Sequence, residues 1–364
     1  MGEIFFSKVT KDYNKVRALS ELSFTVKDGE FLTLLGPSGC GKTTILNLIA
    51  GIILPTQGEI FINRNMMNNI PVHKRNIGFV FQSYSLFPHM TVFDNVAFGL
   101  KMKKHPKKEI PRRVEEALHL VNMDGYESRR PSELSGGQQQ RIALARALVF
   151  NPDVLLLDEP LSNLDAKLRE SVRFEIMQLH KKTKKTVVFV THDQIEALTM
   201  SDRIILMNEG RIEQIGTPAE LYSNPKTVFA AGFIGANSFI GCKVESVLND
   251  RVKVNFNGNV VMCNQASPEG LACGEDAVLA IRPEKLCLLN PENRGEYQNA
   301  LTGKLVNVVF QGADTLLYLD LEGTALKVCM VNGNQITRNG PRDFTLNETI
   351  TVGFNDCMVF PRLG

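Results

Sequence analysis

Gly36-Pro37-Ser38-Gly39-Cys40-Gly41-Lys42-Thr43-Thr44 decides how this chain folds. The stretch before it, Glu30-Phe31-Leu32-Thr33-Leu34-Leu35, is a short apolar run between Gly29 and Gly36, as expected of a strand buried on both faces. The stretch after it, Ile45-Leu46-Asn47-Leu48-Ile49-Ala50, reads as a helix that stops at Gly51. Between a strand and a helix, G-x-x-x-x-G-K-[ST] is a phosphate-binding loop. Its glycines let backbone N–H groups crowd round the β- and γ-phosphates of a nucleotide, and the helix N-terminus adds partial positive charge. Lys42 supplies a full charge to the terminal phosphates, and Thr43 supplies a hydroxyl ligand for Mg²⁺. The bland alternative, a chance glycine-rich turn, does not explain the strand and helix on either side.

Upstream, residues 3–9 and 19–27 alternate like half-buried strands, joined by Lys11-Asp12-Tyr13-Asn14-Lys15. Tyr13 is either loop packing or an aromatic plate for an adenine ring. Downstream, Thr56–Ile62 makes a turn and strand. Asn76-Ile77-Gly78-Phe79-Val80-Phe81-Gln82 reads as a strand whose terminal Gln82 can reach a bound metal or water. Residues 90–150 carry helical spacing, with Val114–Val121 the clearest case. Within them, Leu134-Ser135-Gly136-Gly137-Gln138 precedes strong helix formers. Ser135 is a good N-cap, and the two glycines leave bare N–H groups at a helix start. That is a second anion cradle or a plain helix N-terminus.

Asp153-Val154-Leu155-Leu156-Leu157-Asp158-Glu159-Pro160 is a buried strand that delivers two carboxylates at its end. Asp158 suits the Mg²⁺ shell beside Thr43, and Glu159 suits orienting or deprotonating an attacking water. Thr186–Thr191 is another buried strand, ending at His192-Asp193, where a histidine can reach a γ-phosphate.

The pattern changes around Asn224–Gly235. Beyond it lie short strands separated by Asn, Gly and Pro: 251–256, 260–263, 277–281, 303–310, 315–321, 325–331 and 349–354. They predict a small all-β domain, a barrel of the OB kind, without a catalytic constellation. The expected division is 1–235 and 236–364.

The chain has 364 residues, 22% charged and 43% hydrophobic, the proportions of an ordinary globular protein with room for two domains. A net charge of +2 gives no global reason to expect nucleic acid or an anionic membrane. The local basic runs at 101–108, with Arg112 and Arg113, and at 181–185 adjoin amphipathic helical sequence and read as solvated helix ends. Seven scattered cysteines without a C-x-x-C pair argue against a disulfide framework or zinc site and fit a reducing compartment. Cys40 is a reactive thiol if exposed, and the others read as small core hydrophobes. The N-terminus lacks a signal-peptide pattern, and Phe6 stands where a myristoylation site needs Ser or Thr. No run of about 18 apolar residues occurs, so any membrane role is expected to run through a partner.

Together these residues resemble an ABC transporter ATPase subunit, an α/β P-loop NTPase whose nucleotide-binding domain carries a helical subdomain. Leu134–Gln138 matches the family's signature letter for letter. It stands in the family's order with the loop at 36–43, Gln82, the strand at 154–159 and His192. The resemblance implies ATP and Mg²⁺ as ligands, with Gly36–Thr44 and the signature on the nucleotide, and Thr43, Gln82 and Asp158 at the metal. It makes Glu159, His192 and Gln82 the catalytic group, and Tyr13 the adenine plate. Ser162-Asn163-Leu164-Asp165 becomes the loop that meets an opposing subunit, with Asp165 among the nucleotide-binding residues. The family dimerises head to tail, so that Ser135 and Gly137 of one chain cap the ATP held by Lys42 of the other.

Tyr84-Ser85-Leu86-Phe87-Pro88-His89-Met90 resembles the segment that receives the coupling helices of membrane subunits, and its aromatics, if exposed, suit a docking groove. Ala280-Ile281-Arg282-Pro283-Glu284 and Phe233-Ile234-Gly235-Ala236-Asn237 resemble the regulatory β-domain of importer ATPases. The implied assembly is a homodimer with two transmembrane permease subunits at the cytoplasmic face of the inner membrane, fed indirectly by a periplasmic binding protein. The overall look is that of the polyamine (spermidine/putrescine) branch. Importers of ferric iron, sulfate, phosphonate and sugar share nearly all of these features. A different class, a soluble translation ATPase with an RNA-binding barrel, usually has two nucleotide halves or a coiled coil. This chain has neither, and its barrel lacks a basic stripe with interleaved aromatics, so no nucleic acid is expected.

Overall fold

A computed structural model describes every residue except 1, 15, 249–250, 267–269, 333–343 and 363–364. The chain forms two compact units, Met1–Leu221 and Tyr222–Gly364.

The strands of the first unit begin with β1 (Ile4–Tyr13), β2 (Val16–Val26), β3 (Phe31–Leu35), β4 (Gln57–Ile62) and β5 (Asn65–Met66). They continue with β6 (Ile77–Val80), β7 (Val154–Asp158), β8 (Thr186–Thr191), β9 (Arg203–Asn208) and β10 (Arg211–Gly216). Its helices are α1 (Lys42–Ala50), α2 (Val92–Met102), α3 (Ile110–Leu120), α4 (Gly136–Leu148), α5 (Ala166–Thr183) and α6 (Gln194–Met200), and α7 (Pro218–Ser223) runs across its C-terminal boundary.

The main sheet has the order β10-β9-β3-β8-β7-β6 and is parallel from β9 to β6. Its central strands read as unbroken apolar runs because both faces are covered. Along β7, Leu155 and Leu157 join the core beneath α2–α5, whereas Val154 and Leu156 join the core shared with α1. Along β8, Val187 and Phe189 face the first core, and Val188 and Val190 the second. Each such side chain is worth about 1.5–3 kcal/mol of burial. A second, antiparallel sheet, β2-β1-β4-β5, covers the α1 side with Ile4, Phe6, Phe24 and Ile60.

The hairpin departs from the sequence expectation. β1 runs on to Tyr13 and β2 begins at Val16, so Lys11, Asp12 and Tyr13 of the stretch expected to be a connection continue the ladder, with Asp12 opposite Arg17 and paired to it at 2.9 Å. Register shifts near Lys8 and Glu21, both at positive φ, break the alternation that would have signalled this. Both basic runs end helices, as expected of solvated helix ends. Lys101 pairs with Asp94, and Arg112 and Arg113, in the first turn of α3, pair with Glu116 and with Glu109 just before the helix.

Apart from a short helix near its start, the second unit is built of strands, an OB-like barrel. One sheet contains Ser238–Leu248, Arg251–Phe256, Asn259–Cys263, Gln265–Ala266, Asp276–Ile281 and Met358–Pro361. The other contains Cys287–Leu288, Asn299–Phe310, Asp314–Leu321, Thr324–Val331 and Thr349–Phe354. Both contribute to one core, which includes Ile240, Val254 and Leu279 from the first sheet and Leu317, Val328 and Phe354 from the second. Every strand expected there is present. Ser238–Leu248 is additional: its inward positions 238, 240, 242 and 244 alternate, but Ser, Cys and Gly dilute the β-branched signal.

The units part at Leu221/Tyr222, before the expected boundary at 235/236. The short helix α8 (Val228–Phe233) explains the shift, because its Val228 and Ala231 pack on Ala280, Met358 and Phe360 of the β-unit. Arg282 stacks on the Tyr222 ring at 3.7 Å and donates to the Ile234 carbonyl at 3.0 Å, tying the 222–237 segment to the same unit. The six cysteines outside the phosphate loop are not all core residues. Cys242, Cys263 and Cys357 are buried, Cys329 is half-buried, and Cys273 and Cys287 are exposed.

Candidate nucleotide site at the C-terminal edge of the parallel sheet

β3, β8, β7 and β6 are neighbours and run the same way, so their C-terminal ends open on one edge. The register sets Leu35 beside Thr191, Asp158 beside Val190 and Val80 beside Leu157. The phosphate loop, His192, Asp158-Glu159 and Gln82 follow those ends. An open α/β sheet binds ligands at this edge.

The loop backbone needs its glycines. A Cβ on Gly36 would meet the Met207 carbonyl oxygen at 2.3 Å, and one on Gly41, at φ +102°, would meet Leu19 at 2.5 Å. The contact with Leu19 also sets β2, and with it the Tyr13 hairpin end, against the loop. Tyr13 is 45% exposed with the Lys11 ammonium 5.0 Å from its ring centroid. Its ring is therefore exposed beside a cation rather than packed into the loop.

Lys42 is 5% exposed, and its ammonium donates to the Gly36 and Pro37 carbonyls at 2.8 and 2.7 Å. A phosphate in the loop competes for the same three N–H donors. Cys40 is buried with its sulfur 3.7 Å from the Lys42 nitrogen, and burial pushes its thiol up, opposed by the Lys42 charge. This removes the reactive-thiol reading. Ser38 and Gly39 are exposed on the loop, and Thr44 is half-buried on the first turn of α1.

The Thr43 hydroxyl donates to Asp158 Oδ1 at 3.1 Å. Burial pushes the Asp158 carboxyl above its ordinary range, with the Thr43 hydrogen bond opposing and the Glu159 charge adding to the rise. A hydroxyl and a carboxylate meeting beside a phosphate loop are hard oxygen donors, which fits Mg²⁺ held jointly with substrate phosphates.

Glu159 has φ 43°, a left-handed conformation costly for a residue with a Cβ, and is fixed by its N–H to the Val190 carbonyl at 3.1 Å. Its Oε2 accepts from Gln82 Nε2 at 3.2 Å and lies 3.4 Å from His192 Nδ1. Glu159 therefore touches both of the residues expected to act with it. The sequence reading missed their supports. Ser162 Oγ donates to the Glu159 carbonyl at 2.9 Å, and Asn163 Nδ2 donates to the Gln82 carbonyl at 2.9 Å.

The signature lies in a different neighbourhood. Ser135 and Gln138 form a capping box at the start of α4, with Gln138 Oε1 accepting from Ser135 N–H at 2.9 Å. Gly137 is buried against Leu168, where a Cβ would come within 2.9 Å, and Gly136 faces Leu164. Signature and 162–165 loop thus pack together. Asp165 caps α5 through Leu168 N–H at 3.0 Å, a local role that leaves its other oxygen free to face outward.

The segment after Gln82 differs from expectation. Tyr84 is 5% exposed and faces the core, so it is no docking aromatic; Phe87 is half-buried and His89 is exposed, with Phe81, 38% exposed, just before the segment. Asn95, fully buried, bonds Phe87 at both its N–H and carbonyl and also reaches the Thr91 carbonyl. Arg146 of α4 donates to the Tyr84 and Ser85 carbonyls at 2.8 and 2.7 Å.

Fold and site together define a P-loop nucleotide-hydrolysing cassette joined to a β-domain. The ABC transporter family model matches residues 19–162, and the TOBE domain model matches residues 279–360. The chain is 42% identical to the spermidine/putrescine import ATP-binding protein PotA of Legionella pneumophila (strain Philadelphia 1), over 95% of this chain and 94% of that protein. It is 48% identical to the PotA of Rubrobacter xylanophilus, over 84% and 80%, and 49% identical to that of Shigella dysenteriae, over 79% and 76%. Among solved structures, the ATP-binding cassette MJ0796, a dimer in a post-hydrolysis state bound to ADP and Pi, matches with TM-score 0.54 and 36% identity. The match covers 59% of this chain and 98% of that one. The chain belongs to the ABC transporter family, as an ATP-binding subunit.

Proposed function

We propose that this chain hydrolyses ATP to drive import of the polyamines spermidine and putrescine. The observation that supports the hydrolytic reading is the contact of Glu159 with Gln82 and His192 at the mouth of the phosphate loop. The polyamine reading rests on the names of relatives that match over most of the chain.

ATP lies with its phosphates on the 36–44 backbone and Lys42, and its adenine on Tyr13. Thr43, Asp158 and Gln82 would hold Mg²⁺, which supplies charge neutralisation on the phosphates when bound. Glu159 orients a water and takes its proton as the water oxygen attacks the γ-phosphorus and ADP leaves. Gln82 and His192 hold the Glu159 carboxylate, and His192 meets the γ-phosphate.

Two chains dimerise head to tail, with Ser135, Gly136, Gly137 and Gln138 of one capping the ATP of the other and Asp165 at the same interface. The packing of signature on the 162–165 loop supports this, as does the dimeric MJ0796 cassette. Two transmembrane permease subunits dock near residues 84–90, at the cytoplasmic face of the inner membrane, and a periplasmic binding protein delivers the cargo. No helix among the described residues is long and apolar enough to cross a membrane. The test is uptake of labelled spermidine and putrescine by cells whose sole copy is this chain or its Glu159→Gln variant. Uptake by the first and not the second is expected. No uptake by either removes the polyamine assignment and turns the search to ferric iron, sulfate, phosphonate and sugar, and equal uptake by both removes the coupling of that uptake to Glu159.

A further inference from the structure

Arg169 stands in the first full turn of α5, outside every motif discussed above. Its Nη2 donates to the Leu164 carbonyl at 3.1 Å, in the loop that packs on the signature. The other side of the same guanidinium faces two carboxylates after β8: Nη1 lies 3.7 Å from Asp193 Oδ2, and Nε lies 4.0 Å from Glu196 Oε1. That Nε is buried and makes no hydrogen bond. A buried guanidinium N–H held just beyond bonding distance of a carboxylate is uncommon, because the donor loses its water without gaining a partner.

Glu196 and Asp193 both tie to Thr191, the neighbour of His192. Glu196, with a side chain 4% exposed, accepts from Thr191 Oγ1 at 2.5 Å. Asp193 caps α6 through the N–H groups of Ile195 and Glu196, and its own N–H donates to Thr191 Oγ1 at 2.9 Å. Thr191 and Asp193 flank His192, whose ring contacts Glu159. Glu159 in turn begins the turn that ends at Leu164, through Ser162 N–H to the Glu159 carbonyl at 3.2 Å. The contacts close a ring: Glu159, the 160–164 turn, Arg169, Asp193 and Glu196, Thr191 and His192, and back to Glu159.

We propose that Arg169 is a positioning residue that sets His192 against Glu159 according to the position of the 162–165 loop. A shift of Leu164 pulls on the guanidinium fork, and the gap between Nε and Glu196 gives it room to follow. Removing the cation leaves two carboxylates facing each other across a half-buried space, which drives the Thr191–Asp193 backbone apart. Lysine cannot replace it, since one ammonium cannot span a carbonyl and two carboxylates in a plane. The proposal rests on the roles of Glu159 and His192 given above.

The test uses the full chain with Arg169→Ala, Arg169→Lys and Glu159→Gln side by side. For Arg169→Ala, a kcat loss of about 10–100-fold is expected from misplacement of the histidine, with ATP KM and Kd changed less than about threefold. Added guanidinium ion restores part of that kcat, and has no such effect on the wild type or Glu159→Gln. The ¹⁵N resonances of the His192 ring move in both Arg169 variants. Wild-type kcat in Arg169→Lys, or His192 resonances at wild-type positions in a folded Arg169 variant, overturns the proposal. If Arg169→Ala does not fold, Arg169→Lys decides by the same two readings. Brisk hydrolysis by Glu159→Gln removes the catalytic reading of Glu159 instead, and the His192 resonances still judge Arg169.

Discussion

The Thr43 hydroxyl and the Asp158 carboxylate, 115 residues apart, meet at 3.1 Å because β3 and β7 each pair with β8 and end on one edge. The arrangement costs stability, since burial raises the Asp158 carboxyl. In the folded chain it holds its proton to a higher pH than in the unfolded one. Its penalty is therefore absent below the unfolded value and complete above the folded value. Asp158→Asn keeps the acceptor for Thr43 and removes the charge. Its melting temperature should exceed the wild type's by on the order of 2 °C at neutral pH. The gain should shrink as pH falls through the raised carboxyl range. A gain independent of pH would contradict burial as the cause. Mg²⁺-dependent hydrolysis should fall on the order of 100-fold in the same variant.

Glu159→Gln preserves size and the Gln82 contact but cannot take a proton. Turnover should drop by about 100–10,000-fold, with ATP affinity within about threefold of wild type. Single-turnover hydrolysis with equilibrium ATP titration separates the two quantities, and brisk residual hydrolysis removes Glu159 from the role of base.

Lys42→Ala removes the only full charge inside the loop. ATP affinity should weaken by about 10–100-fold, the worth of one charge-assisted hydrogen bond. Calorimetric titration reads it directly. Unchanged affinity would contradict the assignment of the loop.

Asn95→Ala strips the Phe87 N–H and carbonyl of their buried partner. A loss of about 2–3 kcal/mol is expected from groups left unsatisfied. Denaturant midpoints measure it, and a loss below about 0.5 kcal/mol, the level of an ordinary surface change, would show that the 84–91 segment is held by other means.

The domain boundary also has a consequence. A chain cut after Ser223 ends with α7, whereas one cut after Phe239 keeps α8 without the Ala280, Met358 and Phe360 surface it packs on. The shorter form should stay dispersed in size-exclusion chromatography and hydrolyse ATP, and the longer form should associate through its bared apolar face. A longer form as well dispersed as the shorter one would mean that α8 needs no cover.

Much of this protein was legible in the order of its residues. The loop at 36–44, the buried strands ending at Asp158 and Thr191, and the N-cap at Ser135 are local patterns, set by glycine geometry, apolar runs and side-chain oxygens within a few residues. The tertiary structure decided the rest. Alternation says which face of a strand is apolar, not which partner covers it, so nothing in the sequence says that Tyr84 turns inward while Phe81 does not. Asn95, Arg146 and Arg169 belong to no motif, because what they do is bond backbone carbonyls, and a carbonyl looks alike at every residue. The bulged hairpin and the place of α8 hang on contacts made across the fold. Sequence by itself pointed to the groups proposed for the chemistry; how they are held waited on packing, because hydrogen bonds and burial join residues that the chain keeps far apart.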